Sequence, residues 1–201
     1  MAATRQIKGI YKDGELLLKP LHCIPEDERT RLYKTYAEWL NQEHIRRGIG
    51  DVSDYTVKDV EELLKCWADS NDDYHWIIYA EVNGAYVPVG DINLRRLSAY
   101  SDLFEIYRRH DQNLNNELAK ISVEIAFLCT MPFQGRGIAT GAIKAMLEYI
   151  EGEGVVAVYS NVFEDNVASR RVHEKIRFEE IGKDTEENRN IVIYRKILQH
   201  T

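Results

Sequence analysis

An α/β fold is predicted for this chain by three features of its 201 residues. An apolar run, Val123 to Cys129, passes through the glycine-rich stretch Pro132-Phe133-Gln134-Gly135-Arg136-Gly137 into a segment where apolar residues return at Ala139, Ala142, Ile143, Met146, Leu147 and Ile150, the period of a helix. A second apolar run, Val155 to Tyr159, precedes another helical segment, Glu164 to Ile176. Earlier, Tyr74 to Glu81 and Ala85 to Leu94 flank Asn83-Gly84, the strongest short-range signal for a β-hairpin.

In chain order, Ile7 to Tyr11 and Glu15 to Leu21 flank Lys12-Asp13-Gly14, a first hairpin whose second run is the first main strand. Pro25 with Glu26, Asp27 and Glu28 marks a helix start, because proline suits the first turn and acids complement its dipole. Leu32, Tyr36 and Leu40 give that helix its apolar side, and Gly48 and Gly50 are expected to break it. Thr56 precedes Val60, Leu63, Leu64 and Trp67 at amphipathic spacing, with Asp59 placed to complete a capping box. Spacing alone explains Tyr33, Tyr36, Trp39 and Trp67 as packing residues, and His75, which has no spaced partner, as a packing or surface histidine. The stretch 95–118 is long for a connection between strands, with a short helix expected first and a polar loop after it. It reads either as a flap or subunit contact or as a solvated insertion of mixed charge. Phe178 to Ile181 and Asn190 to Leu198 are expected as the last strands, with the charged run 183–189 as a loop between them.

Composition narrows the function. With 44% apolar content the chain can bury a sizeable core, and one domain over 1–201 is expected. A net charge of −7 argues against a nucleic-acid-coating protein and is compatible with a cationic or amine-bearing partner. The three cysteines, Cys23, Cys66 and Cys129, are odd in number and too widely spaced for a disulfide framework or zinc site. They are expected as reduced, mostly buried thiols, and no metal is expected. The start, Met1 to Gln6, lacks the apolar core of a signal peptide and no apolar run reaches membrane length, so a cytoplasmic protein without membrane contact is expected.

The glycine-rich turn carries the chemistry. Glycines permit a tight turn and leave main-chain N–H groups uncovered, while the helix start adds partial positive charge, which together attract phosphate oxygens. Arg136 can add a full charge, although a lone Gly-x-Gly by itself is better read as a tight structural connection with a solvated arginine. The turn fits neither Gly-x-x-x-x-Gly-Lys-Ser/Thr nor Gly-x-Gly-x-x-Gly in a first βα unit with a ribose-binding acid, so another phosphate ligand is required. The segment Asn161 to Phe178 indicates which. Gln134, Gly137 and Ala139 match Gln/Arg-x-x-Gly-x-Gly/Ala, and Asn166, Ser169, Lys175 and Phe178 match Asn-x-x-Ser followed by Lys-x-Gly-Phe. In this order, a strand and a helix apart, the two motifs resemble the GNAT superfamily of acyl-CoA-dependent N-acyltransferases. Two positions depart from the pattern. His173 stands where the family usually has a tyrosine that protonates the departing thiolate, and Arg177 stands where it has a glycine, so a left-handed turn there is expected to be strained or absent.

The resemblance implies a single GNAT domain: a central, mixed but mostly antiparallel twisted sheet of about seven strands, flanked by about four helices, with 121–178 as the acetyl-CoA-binding core and 95–118 as an insertion. It implies acetyl-CoA as co-substrate, held by main-chain groups of Leu128, Cys129 and Thr130 along the pantetheine arm and by Gln134, Gly135, Arg136, Gly137, Ile138, Ala139 and Thr140 at the pyrophosphate. Asn161, Asn166, Ser169, Arg170 and Lys175 complete the cofactor set. Glu124 is the one carboxylate on the strand before the turn. Alternation sets it with Ala126 and Leu128 on one face, where burial raises a carboxyl pKa and makes it a better base. A glutamate paired with a cation at the strand's wet end is the competing reading. The implied reaction is direct acetyl transfer to an amine, with Glu124 as base and His173 assisting thiolate departure. Implied acceptors are a peptide N-terminus, as in the ribosomal-protein N-terminal acetyltransferase branch, a polyamine or an aminoglycoside-like amine, with the protein a monomer or homodimer. A non-catalytic CoA/acyl-CoA-binding module is the alternative.

Overall fold

The computed structural model describes residues 5–50, 53–186 and 188–198. The opening residues Met1–Thr4 and Glu187 of the charged run lie outside them. The sheet has eight strands: β1 (Ile7–Tyr11), β2 (Gly14–Pro20), β3 (Asp73–Val82), β4 (Ala85–Arg96), β5 (Ser122–Cys129), β6 (Ala157–Phe163), β7 (Glu179–Glu186) and β8 (Arg189–Ile197), in the spatial order β1-β2-β3-β4-β5-β6-β8-β7. β5 and β6 are parallel, from Ser122↔Ala157 to Glu124↔Tyr159, whereas β1/β2, β2/β3, β6/β8 and β7/β8 are antiparallel. The α-helices are α1 (Glu26–Leu40), α2 (Glu43–Ile49), α3 (Val57–Asp69), α4 (Ser101–His110), α5 (Asn116–Lys120), α6 (Ile138–Gly152) and α7 (Val167–Lys175). No described helix is long and apolar enough to cross a membrane.

Two compact units divide the chain, one running to Asn93 and including Phe127–Ala142, the other made of Leu94–Ala126 and the residues from Ile143 onward. In the first, Leu32, Tyr33, Tyr36 and Leu40 of α1 pack with Val60 and Leu64 of α3 on Ile77 and Tyr79 of β3. The aromatics assigned to packing are part of this core. Thr56 and Asp59 form the expected capping box, each side chain bonded to the other's main-chain N–H. The first helix ends earlier than its glycines suggest. Asn41 turns its side chain onto the main chain of Tyr55, donating at 2.7 Å and accepting at 2.9 Å, so a side-chain bond across the loop separates α1 from α2. Gly50 then closes α2 in the left-handed region at φ 79°.

In the second unit, Leu97, Tyr107, Leu114 and Ala119 pack with Tyr159 and Phe163 of β6 and Ile191 and Ile193 of β8. The stretch 95–118 is therefore built into a core, and its latter part holds α5 as well as loop. One face of the segment carries Leu97, Tyr107 and Leu114 into the core, while most of its charged side chains are exposed or half-buried. The buried Asp111 anchors it further, accepting from Tyr159 Oη and Arg195 at 2.8 Å each. The charged run 183–189 is also corrected: β7 continues through Lys183 to Glu186 as an edge strand, with Lys183 exposed and the half-buried Asp184 paired with Arg109 and His110. Cys23 and Cys66 are exposed and Cys129 half-buried, so the thiols are free but not mostly buried.

Candidate functional site

In the first unit, Gly135 and Gly137 both sit in the left-handed region, at φ 73° and 85°, and a Cβ built on either meets no atom within 4 Å. Conformation, not crowding, demands glycine at both. The helical bonding of α6 begins with Gly141 N–H to Gly137 C=O at 2.9 Å, so the N–H groups before it are the open donors of a helix start. Open donors beside Cβ-free turns fit a pyrophosphate. Gln134 braces the turn, its amide donating to the Cys129 carbonyl at 2.9 Å. Arg136 is partly neutralised: its Nε donates to Asp13 at 2.8 Å. A Cβ on Gly141 would lie 2.0 Å from the Ile10 carbonyl oxygen, so α6 approaches β1 at backbone contact.

The strand end before the turn is more committed than expected. The Leu128 N–H donates to the carboxylate of Asp91, and the Thr130 N–H to the Val89 carbonyl at 3.0 Å, both on β4. Alternation turns the N–H of Cys129 to the opposite edge. Of the three residues expected to hold the pantetheine arm, Cys129 is the one whose amide faces away from β4.

Glu124 lies in the second unit and is 2% exposed. Ser122 to Ile125 are buried on both faces of β5, and exposure begins at Ala126, so Glu124 is not at a wet end. Its Oε1 accepts from the Tyr107 hydroxyl at 2.5 Å and from Asn161 Nδ2 at 3.4 Å, and its Oε2 pairs with Arg95. Burial raises its pKa against the lowering effects of Arg95 and Tyr107. Sequence reasoning named Glu124 and Asn161 but missed Tyr107 and Arg95, because both come from 95–118 and nothing in their spacing links them to β5.

The residues of α7 have local duties. Asn166 caps the helix, accepting from Ser169 N–H at 3.1 Å. Arg170 donates to Tyr194 Oη at 3.3 Å and to the Glu164 carbonyl at 3.4 Å, while Lys175 is exposed. The inward line is Ser169, Val172, His173 and Ile176, and Ala168 is exposed. His173 is 1% exposed, stacked on Tyr194 at 4.7 Å and edge-on to Phe178 at 5.1 Å. Its Nδ1 lies 2.9 Å from the Ser169 carbonyl, which can only accept, so the ring proton sits on Nδ1. Burial pushes its pKa down to about 4. A neutral imidazole whose Nδ1 proton is committed to a carbonyl is a weaker proton donor at neutral pH than an imidazolium. Arg177 does adopt the left-handed turn, at φ 59°, with Arg177 N–H on Glu174 C=O and Phe178 N–H on His173 C=O at 3.0 Å each. This is a Schellman ending with arginine where glycine is favoured.

The family model described as an acetyltransferase (GNAT) domain matches residues 24–179. The chain belongs to the GNAT acetyltransferase family. A Streptomyces griseus N-acetyltransferase is 33% identical over 61 residues, and the chain spans about a third of that relative's length, since the match covers 30% of this chain and 31% of the relative. Among solved structures, Mycobacterium smegmatis RimJ in complex with CoA-disulfide superposes with a TM-score of 0.70 at 15% identity, covering 96% of this chain and 86% of that one. Vibrio cholerae spermidine N-acetyltransferase, in complex with CoA and spermine, gives a TM-score of 0.67 at 15% identity over 90% of this chain and 95% of that one. At these identities the two neighbours establish the GNAT fold. Within this GNAT chain no cluster of metal-ligating side chains occurs among the described residues.

Proposed function

We propose that this GNAT chain is an acetyl-CoA-dependent N-acetyltransferase acting by direct attack of a primary amine. The observation that carries the reading is the pair of left-handed glycines opening α6 inside a matched GNAT domain. The turn Gln134–Thr140 holds the pyrophosphate, and the Cys129 amide, with the neighbouring backbone of Leu128 and Thr130, lines the pantetheine arm. Asn161 orients Glu124, while Asn166, Ser169, Arg170 and Lys175 set and charge α7. An ammonium has no lone pair, so a proton first passes to Glu124, directly or through water; a base is needed because protein amines titrate from about 8 to about 10.4. The amine nitrogen then bonds the thioester carbon, the C–S bond breaks, and the pair leaves on sulfur. Net, an ammonium and acetyl-CoA give an amide, CoA thiol and one proton.

The neutral, committed His173 is the observation that favours the alternative, a non-catalytic CoA/acyl-CoA-binding module. Solvent protonation of the thiolate removes the need for that acid, and catalysis is the reading we adopt. A peptide N-terminus, a polyamine and an aminoglycoside-like amine are the acceptor classes, with a cytoplasmic location and a monomer or homodimer belonging to the same proposal. Thiol release from acetyl-CoA across these amines, with thermal stabilisation by CoA measured alongside, is the test. Release with one class is expected. Stabilisation with no release from any class would favour the binding module, and no stabilisation would overturn the cofactor assignment.

A further inference from the structure

One face of β4 carries a buried group of side chains, of which Asp91 is bonded to the main chain of the cofactor-binding residue Leu128. Asp91 and Asn93 are two apart on β4 and leave the same face of the strand. The Asp91 carboxylate accepts from the Tyr36 hydroxyl of α1 and from the Leu128 N–H. Asn93 Nδ2 is 2.8 Å from His75 Nε2 on β3. His75 stacks on Trp67 of α3 at 4.1 Å, and Trp67 meets the Tyr36 ring edge-on at 6.0 Å. Five side chains thus close a ring around one patch, all within the first compact unit.

Two features of that ring have no structural explanation. Asp91 is 6% exposed, and no cation faces it among the described residues; burial pushes its carboxyl up to about 6, so it is ionised at neutral pH. Asn93 Oδ1 is buried and has no hydrogen-bond partner among the described residues. A buried anion without a counter-charge and a buried acceptor without a donor each cost stability. One ligand relieves both, a positive group with several N–H donors. Half-buried Trp67 and Asn93 form the rim, and an indole face attracts a cation.

We propose that Asp91, Asn93 and Trp67 form the subsite that receives the acceptor's ammonium group. This rests on the N-acetyltransferase reading and adds the acceptor class: an aliphatic primary amine, protonated at neutral pH, in preference to an arylamine that is neutral there. Asp91 and Asn93 Oδ1 accept its N–H donors, and Tyr36 holds the Asp91 carboxylate in place.

The test is binding rather than turnover. The full-length 15N-labelled protein with CoA is titrated with n-butylammonium or aniline while the Trp67 indole and Asn93 side-chain signals are followed. Saturable shifts are expected with n-butylammonium and none with aniline. Asp91→Asn should weaken butylammonium binding at least tenfold and Asn93→Leu about threefold, with CoA affinity within twofold of wild type in both. Absent shifts in the wild type, or shifts of unchanged affinity in both variants, overturn the subsite. Failure of CoA to bind the wild-type protein overturns the acetyltransferase reading instead.

Discussion

Glu124 combines burial with three partners, and their balance sets what it can do. Loss of water favours the protonated acid, whereas Arg95, Tyr107 and Asn161 each favour the carboxylate. Replacing Glu124 by Gln keeps the shape and removes the proton-accepting group. Turnover is expected to fall about a hundredfold and the acidic limb of the pH–rate profile to disappear, with CoA affinity unchanged. An unaltered profile would reassign Glu124 to a structural ion pair. At Arg177 the issue is conformational. A side chain at φ 59° carries a steric cost of about 1–2 kcal/mol, offset in part by the greater unfolded-state freedom of glycine. Arg177→Gly should therefore stabilise the protein by about 1 kcal/mol, read from the urea midpoint. Both positions were visible in the sequence, one as a carboxylate in an apolar run and one as a departure from a motif. Their partners were not, since a buried carboxylate's neighbours are chosen by packing.

At the scale of elements, α6 shows how a site is positioned by what is absent from it. The turn needs glycine at 135 and 137 for its φ values, but Gly141 is needed for proximity, because its Cα faces the Ile10 carbonyl of β1. Gly141→Ala gains helix propensity of about 1 kcal/mol and must force α6 off the strand, an overpacking cost of about 1–3 kcal/mol that is the larger effect. We expect lower stability by chemical denaturation and weaker CoA binding by calorimetry. A variant as stable as wild type would show that the contact relaxes freely. The helices of 95–118 illustrate the converse. A short helix was expected there and a polar loop after it, yet the role of Tyr107 as a core residue and donor to Glu124 depends on where β5 runs. The inward line of α7 includes the polar residues Ser169 and His173, the Nδ1 of His173 being satisfied by the Ser169 main-chain carbonyl, a pairing that apolar periodicity does not reveal.

Across the whole molecule, two buried titrating groups oppose each other as pH falls. His173 titrates near 4 when folded and near 6.5 when unfolded, so between these values the unfolded chain binds the extra proton and acid destabilises the fold. Asp91 titrates near 6 when folded against 3.8 ordinarily, so over its window the folded chain binds the extra proton and acid stabilises. Between pH ~7 and ~5 the first effect is worth roughly 2 kcal/mol and the second roughly 1. His173→Phe should thus lose roughly 2 kcal/mol less than wild type over that interval, and Asp91→Asn roughly 1 kcal/mol more, by urea unfolding at the two pH values. Equal pH dependence in all three proteins would mean that neither group is shifted. What the sequence determined by itself is local: strand and helix periodicity, the Asn83-Gly84 hairpin, the Thr56–Asp59 cap and the glycine turn that opens α6. These depend on residues a few positions apart, whose backbone preferences are written in their chemistry. Tertiary structure alone decided that Tyr36 meets Asp91, that Tyr107 and Arg95 meet Glu124, and that His173 is held neutral. Those outcomes follow from desolvation and contact between residues as many as 55 positions apart, which no local preference encodes.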